Sequence, residues 1–379
     1  MRLCLLLVYL SLVAPFCPRA PAANLEHGTL EGSFFTIALP DATTSWNRRV
    51  LLIAHGYRPT DAPLVADLTL AHAAYRTLVD EGWAVAKTSY RRNGLIVADG
   101  ITDLDNLLAE VTRRLGSPDR VIVEGDSMGG LIAALLAERG QPVNGAIAIG
   151  AALDLREPGG ISGINFHPQI PLLFLANRSE IAGPIAYLNT ATDRDAAAPL
   201  DPVLFRIDRD GHVNVNQAER LYAIRQLNRW LDDGRNALPT PSREQNPSLA
   251  ASYHDATRPA LAQPSRVQLD ADRRGFRAHV VDVSAIYGNV WLDAQPADFS
   301  AAGLAPGTWF ELSAHDQTFR VRYGNDFGSV EKNQWVVFPN ADGFFWLARN
   351  YANAAQTAAL AVGDEVHVRR YDDPATPAH

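Results

Sequence analysis

The chain has 379 residues, of which 47% are apolar and 20% charged, and its formal charge is −8. That length exceeds one ordinary core and predicts two or three domains, and the composition excludes a disordered or fibrous chain. An acidic balance without a basic run argues against nucleic acid as a partner.

The N-terminus departs from the average. Arg2 supplies a positive start, residues 3–16 are almost wholly apolar, and Ala20-Pro21-Ala22-Ala23 supplies small residues with an Ala-x-Ala pattern. Together these read as a signal peptide over 1–22, cleaved after Ala22, and predict a secreted or periplasmic protein. The apolar run is short for a membrane span, although an uncleaved anchor is the other reading. A lipid-anchored start at Cys17 is disfavoured by the bulky Phe16 before it. Cys4 and Cys17 are the only cysteines and both fall in this leader, so the remaining chain has neither a disulfide nor a thiol nucleophile. Loss of Arg2 and Arg19 with the leader takes the charge to −10. No later stretch is long and apolar enough to span a bilayer.

Residues 23–233 alternate between short apolar runs and amphipathic patterns. Strands are expected at 33–38, 50–54, 84–88, 121–124, 145–149, 172–176 and 203–207, and helices at 63–81, 99–114, 128–138 and 216–230. Strands interleaved with helices predict an α/β fold, a doubly wound and mostly parallel sheet, with the first strand as an antiparallel edge. Residues 234–265, with Pro239, Pro241, Pro247, Pro259 and Pro264, have linker composition. A strap docked through Tyr253 and Leu261 is the alternative. Over 266–372 the alternation becomes two-residue, as in 279–283, 309–312, 319–323, 336–338 and 366–368, punctuated by Gly288, Gly307, Gly324, Gly343 and Gly363. Many short strands with Gly turns predict a small all-β barrel, followed by a tail at 373–379.

The strongest motif is Gly125-Asp126-Ser127-Met128-Gly129, a Gly-x-Ser-x-Gly between a β-branched run and an Ala/Leu-rich helix. A serine on a tight strand-to-helix turn needs nearly side-chain-free neighbours, and this context predicts Ser127 as a nucleophile. Upstream, His55-Gly56-Tyr57 ends another strand, where such elbows take one oxyanion amide; the residue after the serine supplies the other. Tyr57 and Met128 are therefore the expected main-chain donors. Gly56 permits close approach, and His55 is read as bracing the loop. The base is expected after the last strand, where Asp208-Arg209-Asp210-Gly211-His212 makes His212 the candidate. The acid should close the preceding strand, which points to Glu180, with Asp193 and Asp195 as rivals. Asp126 is read as structural. Such a set supports acyl transfer through an acyl-enzyme, with no cofactor and no metal. The chain lacks His-Glu-x-x-His and Cys/His clusters, and Gly288 and Gly324 form no phosphate-binding loop.

On His55-Gly56-Tyr57, the run Thr88-Ser89-Tyr90-Arg91-Arg92-Asn93-Gly94, the Gly125–Gly130 elbow and Gly211-His212, the sequence over 51–230 resembles bacterial α/β-hydrolases of the esterase and lipase type. The Tyr57/Met128 pair also looks like the oxyanion pair of cutinase-like polyester hydrolases. Only 156–170 occupies the place of the large helical cap of many relatives, which predicts an open cleft suited to an exposed or bulky ester. On Val281-Asp282-Val283, Tyr287-Gly288-Asn289, Leu347-Ala348, Asn353-Ala354-Ala355 and Gly363-Asp364-Glu365-Val366, residues 278–370 look like the C-terminal barrel of S-adenosylmethionine hydroxide adenosyltransferases. That resemblance implies a fold and a residual binding face at Tyr287 and Asn289; a generic small barrel that only packs or spaces is the other reading. Asp293 and Asn340-Ala341-Asp342 depart from the family pattern, and its water-activating N-terminal domain is missing. The leading reading is thus a secreted serine carboxylic-ester hydrolase. A serine peptidase on the same fold is the alternative, as is an adenosine- or S-adenosylmethionine-binding protein with a degenerate hydrolase domain.

Overall fold

The computed structural model describes residues 24–41, 44–155, 163–194, 200–260 and 265–370. The expected leader and tail, with Cys4, Cys17, Asp195 and Leu261, lie outside these residues.

The first half is built on one mixed sheet. β1 (Asn24–Leu30) and β2 (Ser33–Leu39) form a hairpin, and β2 lies antiparallel to β4 (Ala84–Thr88). β4 then pairs in parallel with β3 (Arg49–Ala54), followed by β5 (Arg120–Asp126), β6 (Gly145–Ile149), β7 (Leu172–Asn177) and β8 (Val203–Ile207). The resulting order β1-β2-β4-β3-β5-β6-β7-β8 is that of an α/β-hydrolase fold. Helices α1 (Ala73–Asp80), α2 (Val97–Leu115), α3 (Met128–Arg139), α4 (Ala182–Arg194) and α5 (Gln217–Asp233) connect the strands. Every residue of β6 and β7 is buried, so these strands read as unbroken apolar runs rather than as alternations. Separate apolar clusters fill the two faces: Val123, Leu131 and Phe174 on one, Ile122, Leu173 and Phe205 on the other.

Several expectations need correction. The first predicted strand is antiparallel but is not the edge, because the Glu31-Gly32 turn, with φ of 48° and 86°, folds β1 outside it. The helix expected over 63–81 spans only Ala73–Asp80. Its missing first half is held as loop: Arg58 Nη1 donates to the Val65 carbonyl at 2.6 Å, and Asp67 pairs with Arg58 and Lys87. Part of the Pro-rich segment is not a free linker. β9 (Ser242–Arg243) and β10 (Ser252–Asp255) extend the sheet, β10 running parallel to β8 through His254 and Asp255. Tyr253 is buried there beneath the Arg206 guanidinium at 4.1 Å, the docking considered as the alternative.

The second half is a closed β-barrel. β11 (Gln268–Leu269) leads in along β12 (Gly275–Val283). The barrel order is β12, β13 (Val290–Leu292), β17 (Phe345–Arg349), β16 (Trp335–Pro339), β15 (Gln317–Tyr323), β14 (Trp309–Ala314) and β18 (Glu365–Arg370), closed by β18 on β12. Closure removes the exposed edges that would otherwise invite pairing with other chains. The rings of Phe276, Phe310, Tyr323 and Phe345 pack on Phe299 of helix α6 (Pro296–Ala301) in the barrel core. A short α7 (Ala354–Ala358) follows β17.

Contacts among the described residues join the halves. Asp342 of the barrel accepts from the Gln217 amide at 2.8 Å, at the N-terminus of α5, where a carboxylate is favoured. The His72 and Trp291 rings stack at 6.1 Å. Tyr287 donates its hydroxyl to the Tyr57 carbonyl at 2.6 Å.

Candidate active site

Ser127 sits between β5 and α3 at φ 56°, ψ −114°, a strained backbone for a residue with a side chain. The strain, on the order of 1–3 kcal/mol, is held by main-chain bonds on both sides. The Ser127 amide donates to Ile149 at 2.9 Å, and its carbonyl accepts from Leu131 and Ala152, each at 3.1 Å. The flanking glycines have a steric cause. A Cβ on Gly125 would lie 2.0 Å from the Gly129 carbonyl oxygen, and one on Gly129 would lie 2.0 Å from that of Ala54. Both would collide with backbone, which cannot swing aside.

The parallel strands deliver three loops to one edge of the sheet. A 3₁₀ turn over Arg178–Glu180 follows β7, and Gly211-His212 follows β8. The two loops are laced together. Ser179 Oγ accepts from the Gly211 amide at 2.9 Å, Arg178 pairs with Asp208 and Asp210, and buried Asn177 bonds both backbone groups of Asn214. His212 Nε2 thereby lies 2.9 Å from Ser127 Oγ, and its Nδ1 is hydrogen-bonded to Glu180 Oε1. Glu180 Oε2 also accepts from the Val213 amide at 3.2 Å. The bond to Glu180 raises the His212 pKa above its ordinary value against the opposing effect of partial burial, with the charges of Glu180 and Asp126 adding to the rise. Asp193 lies on α4, and its side chain is not among those described.

Met128 opens α3, so its amide has no acceptor within the helix and points out of the helix N-terminus. Among the described residues, neither the Met128 nor the Tyr57 amide meets an acceptor. Gly56 closes on the elbow: its added Cβ would stand 3.0 Å from the Asp126 carbonyl oxygen and 3.3 Å from Ser127 Cβ. His55 is buried, away from the serine hydroxyl. Its Nδ1 lies 2.7 Å from the Gly56 carbonyl oxygen, its Nε2 lies 3.0 Å from that of Ser89, and its ring packs 3.9 Å from Tyr90. Burial, with Arg58 and Lys87 adding to it, lowers its pKa to about 3. The ring is then neutral, with one proton for two carbonyls, and we place it on Nδ1, the shorter contact.

Beneath the elbow lies a buried charge cluster that sequence patterns did not single out. Glu124 takes the Tyr75 hydroxyl at 2.9 Å and pairs with Arg220, which also reaches Asp126 at 3.1 Å. Burial raises the Glu124 pKa. Asp126 thus faces α5 and not the serine hydroxyl. The apolar strand around Glu124 gave no local sign of a partner 96 residues away on α5.

In the barrel, Tyr287 is half exposed and Asn289 buried. Asp293 accepts from the His279 amide at 2.7 Å and so locks the β12–β13 irregularity. Among the described residues no group of three His, Cys, Asp or Glu side chains is placed to hold a metal ion. No helix of the described residues is long and apolar enough to cross a membrane.

Residues 279–367 match the family described as the SAM hydroxide adenosyltransferase C-terminal domain. No curated protein matches the chain. Among solved structures, an uncharacterized conserved protein from Thermotoga maritima is 20% identical over 29% of this chain and 41% of its own, with a TM-score of 0.27. The acylaminoacyl peptidase of Pyrococcus horikoshii is 10% identical over 54% of this chain and 40% of its own, with a TM-score of 0.41. An esterase of Pyrococcus furiosus is 15% identical over 55% of this chain and 91% of its own, with a TM-score of 0.39. The chain spans less than half the length of the first two.

Proposed function

We propose that this protein is a serine hydrolase cleaving carboxylic esters. The observation that carries the reading is the continuous relay from Glu180 through His212 to Ser127 Oγ beside two unbonded amides. In this reading His212 Nε2 takes the Ser127 proton as Oγ attacks the ester carbonyl carbon. The tetrahedral oxyanion lies between the Tyr57 and Met128 amides, which stabilise charge present only in the transition state. Glu180 holds the imidazole in the tautomer that presents Nε2 and stabilises the imidazolium. His212 then gives its proton to the leaving alcohol, leaving an acyl-Ser127 ester. Water, deprotonated by the same imidazole, releases the acid and restores the hydroxyl.

The His212 side chain is 62% exposed, which supports an open site for a bulky or surface-presented ester. The leader supports export, with the protein acting outside the cytoplasm. Turnover of an aryl-ester panel, with the matching amides as the peptidase comparison, tests the substrate class. Ester cleavage lost at least about a thousandfold in a folded Ser127→Ala variant supports the reading. Retained turnover in that variant overturns it, and amide cleavage at comparable rates replaces esterase by peptidase.

The family match of the barrel favours a second reading, a nucleoside-type ligand held near Tyr287 and Asn289. Two residues that depart from the family pattern have other work here: Asp342 docks on α5 and Asp293 braces β12. Calorimetry with adenosine and with S-adenosylmethionine tests it.

A further inference from the structure

We propose that the barrel is a working part of the hydrolase site, with Tyr287 as a positioning residue that holds the oxyanion loop through the Tyr57 carbonyl. The inference rests on the serine-hydrolase reading and assigns the C-terminal half a role in it.

The geometry concerns two successive peptide units. The Tyr57 N–H belongs to the same plane as the Gly56 carbonyl, and the two point in opposite directions. His55 Nδ1 on the Gly56 oxygen therefore aims the Tyr57 N–H. The next plane carries the Tyr57 carbonyl, and its one hydrogen-bond donor among the described residues is the Tyr287 hydroxyl at 2.6 Å. One clamp comes from the hydrolase half and the other from the barrel, 230 residues along the chain. The following residue is already anchored, by the Gly94 amide on the Arg58 carbonyl at 3.0 Å and by Val65 and Asp67 on its guanidinium, so the Tyr287 hydroxyl fixes the peptide plane between two held neighbours, at a Tyr57 that is itself 44% exposed. An oxyanion donor acts only if it is aimed before charge develops.

The barrel presents Tyr287 rigidly. The Tyr287 amide donates to Ser284 Oγ at 3.1 Å, and the Gly288 amide donates to the Ser284 carbonyl at 2.8 Å. Gly288 has φ 67°, and a Cβ there would meet Asn353 Oδ1 at 2.0 Å, so the turn is wedged against the cap of α7. The Asp342–Gln217 and His72–Trp291 contacts fix the barrel at two further points. The hydroxyl thus arrives at the oxyanion loop from a preorganised support.

Tyr287→Phe in the full chain removes one hydroxyl and keeps the ring. We expect kcat to fall about tenfold with KM nearly unchanged, less than the hundred- to thousandfold loss typical when an oxyanion donor itself is removed. Affinity for a boronic acid that forms a tetrahedral adduct on Ser127 should fall by the same factor, and the thermal midpoint should stay. A role confined to holding the halves together would move the midpoint and leave the kcat-to-KM split untouched. Wild-type kcat, or a loss confined to KM, overturns the proposal. Ser127→Ala run alongside separates the two failures: if it keeps turnover, the hydrolase reading falls and this inference with it. If it is dead while Tyr287→Phe is fully active, only the inference falls.

Discussion

Ser127 Oγ and His212 Nε2 stand 2.9 Å apart across 85 residues of chain. They lie on loops after β5 and β8, with β6 and β7 between those strands in the sheet. Because all four run parallel, their C-terminal ends open at one edge, and the loop after β8 swings back across it. Glu180, in the turn that follows β7, lies on that path and is hydrogen-bonded to His212 Nδ1.

In the proposed chemistry His212 must be neutral to accept the serine proton, so activity should rise with pH through the His212 pKa and then level. The Glu180 hydrogen bond raises that pKa above 6.5, which places the inflection of kcat/KM on the alkaline side of an ordinary histidine. Glu180→Gln removes the charge that favours imidazolium. Its inflection should move to lower pH, and its plateau should drop by roughly a hundred- to ten-thousandfold. A pH–rate profile of both proteins checks this, and an unmoved inflection would take Glu180 out of the relay.

Steric crowding at the elbow sets a second expectation. Gly125→Ala and Gly129→Ala each drive a methyl into backbone 2.0 Å away. Overpacking commonly costs about 1–3 kcal/mol, and a backbone collision should exceed that. Gly116→Ala is the contrast: its φ of 90° is unfavourable, but nothing lies within 4 Å. Denaturant melts should rank Gly116→Ala well above the other two in stability. Equal stability would mean the elbow is looser than its geometry.

Met128 acts through its amide in the proposed chemistry, while its side chain is buried among core residues. Met128→Leu conserves volume and should cost less than about 1.5 kcal/mol. Its kcat should stay near wild type, as measured on the same aryl ester. A hundredfold fall in a folded variant would assign the thioether a part that the main-chain reading denies it.

Much of this was legible in local spacing. Gly125-x-Ser127-x-Gly129 is readable as a spacing because the elbow turns within five residues, where a Cβ on Gly125 meets Gly129, although the clash that demands glycine at 129 is with distant Ala54. The parallel order is readable because doubly covered strands are unbroken apolar runs. Chain order pointed to His212 and Glu180 for the same reason that the loops converge, since each follows its own strand. What escaped depends on contacts distant in sequence. Residues 63–72 have helical apolar spacing, but Arg58 and Lys87 hold Asp67 and keep the segment a loop. β10 is four residues among prolines, and its pairing with β8 on one side and β9 on the other makes it a strand. The β1 strand and α4 likewise lacked patterns strong enough to stand alone. Nothing local to Tyr287 announces Tyr57, and the buried Arg220 reads as an ordinary helix arginine until Glu124 is seen beneath it.

The most direct measurement is labelling of the intact protein with a fluorophosphonate, followed by peptide mapping. Such a reagent needs an activated hydroxyl, so one adduct is expected, on Ser127, with labelling greatly slowed in His212→Ala. Absence of any adduct in folded protein, or an adduct on a different residue, would contradict the assignment of Ser127 and His212 as nucleophile and base.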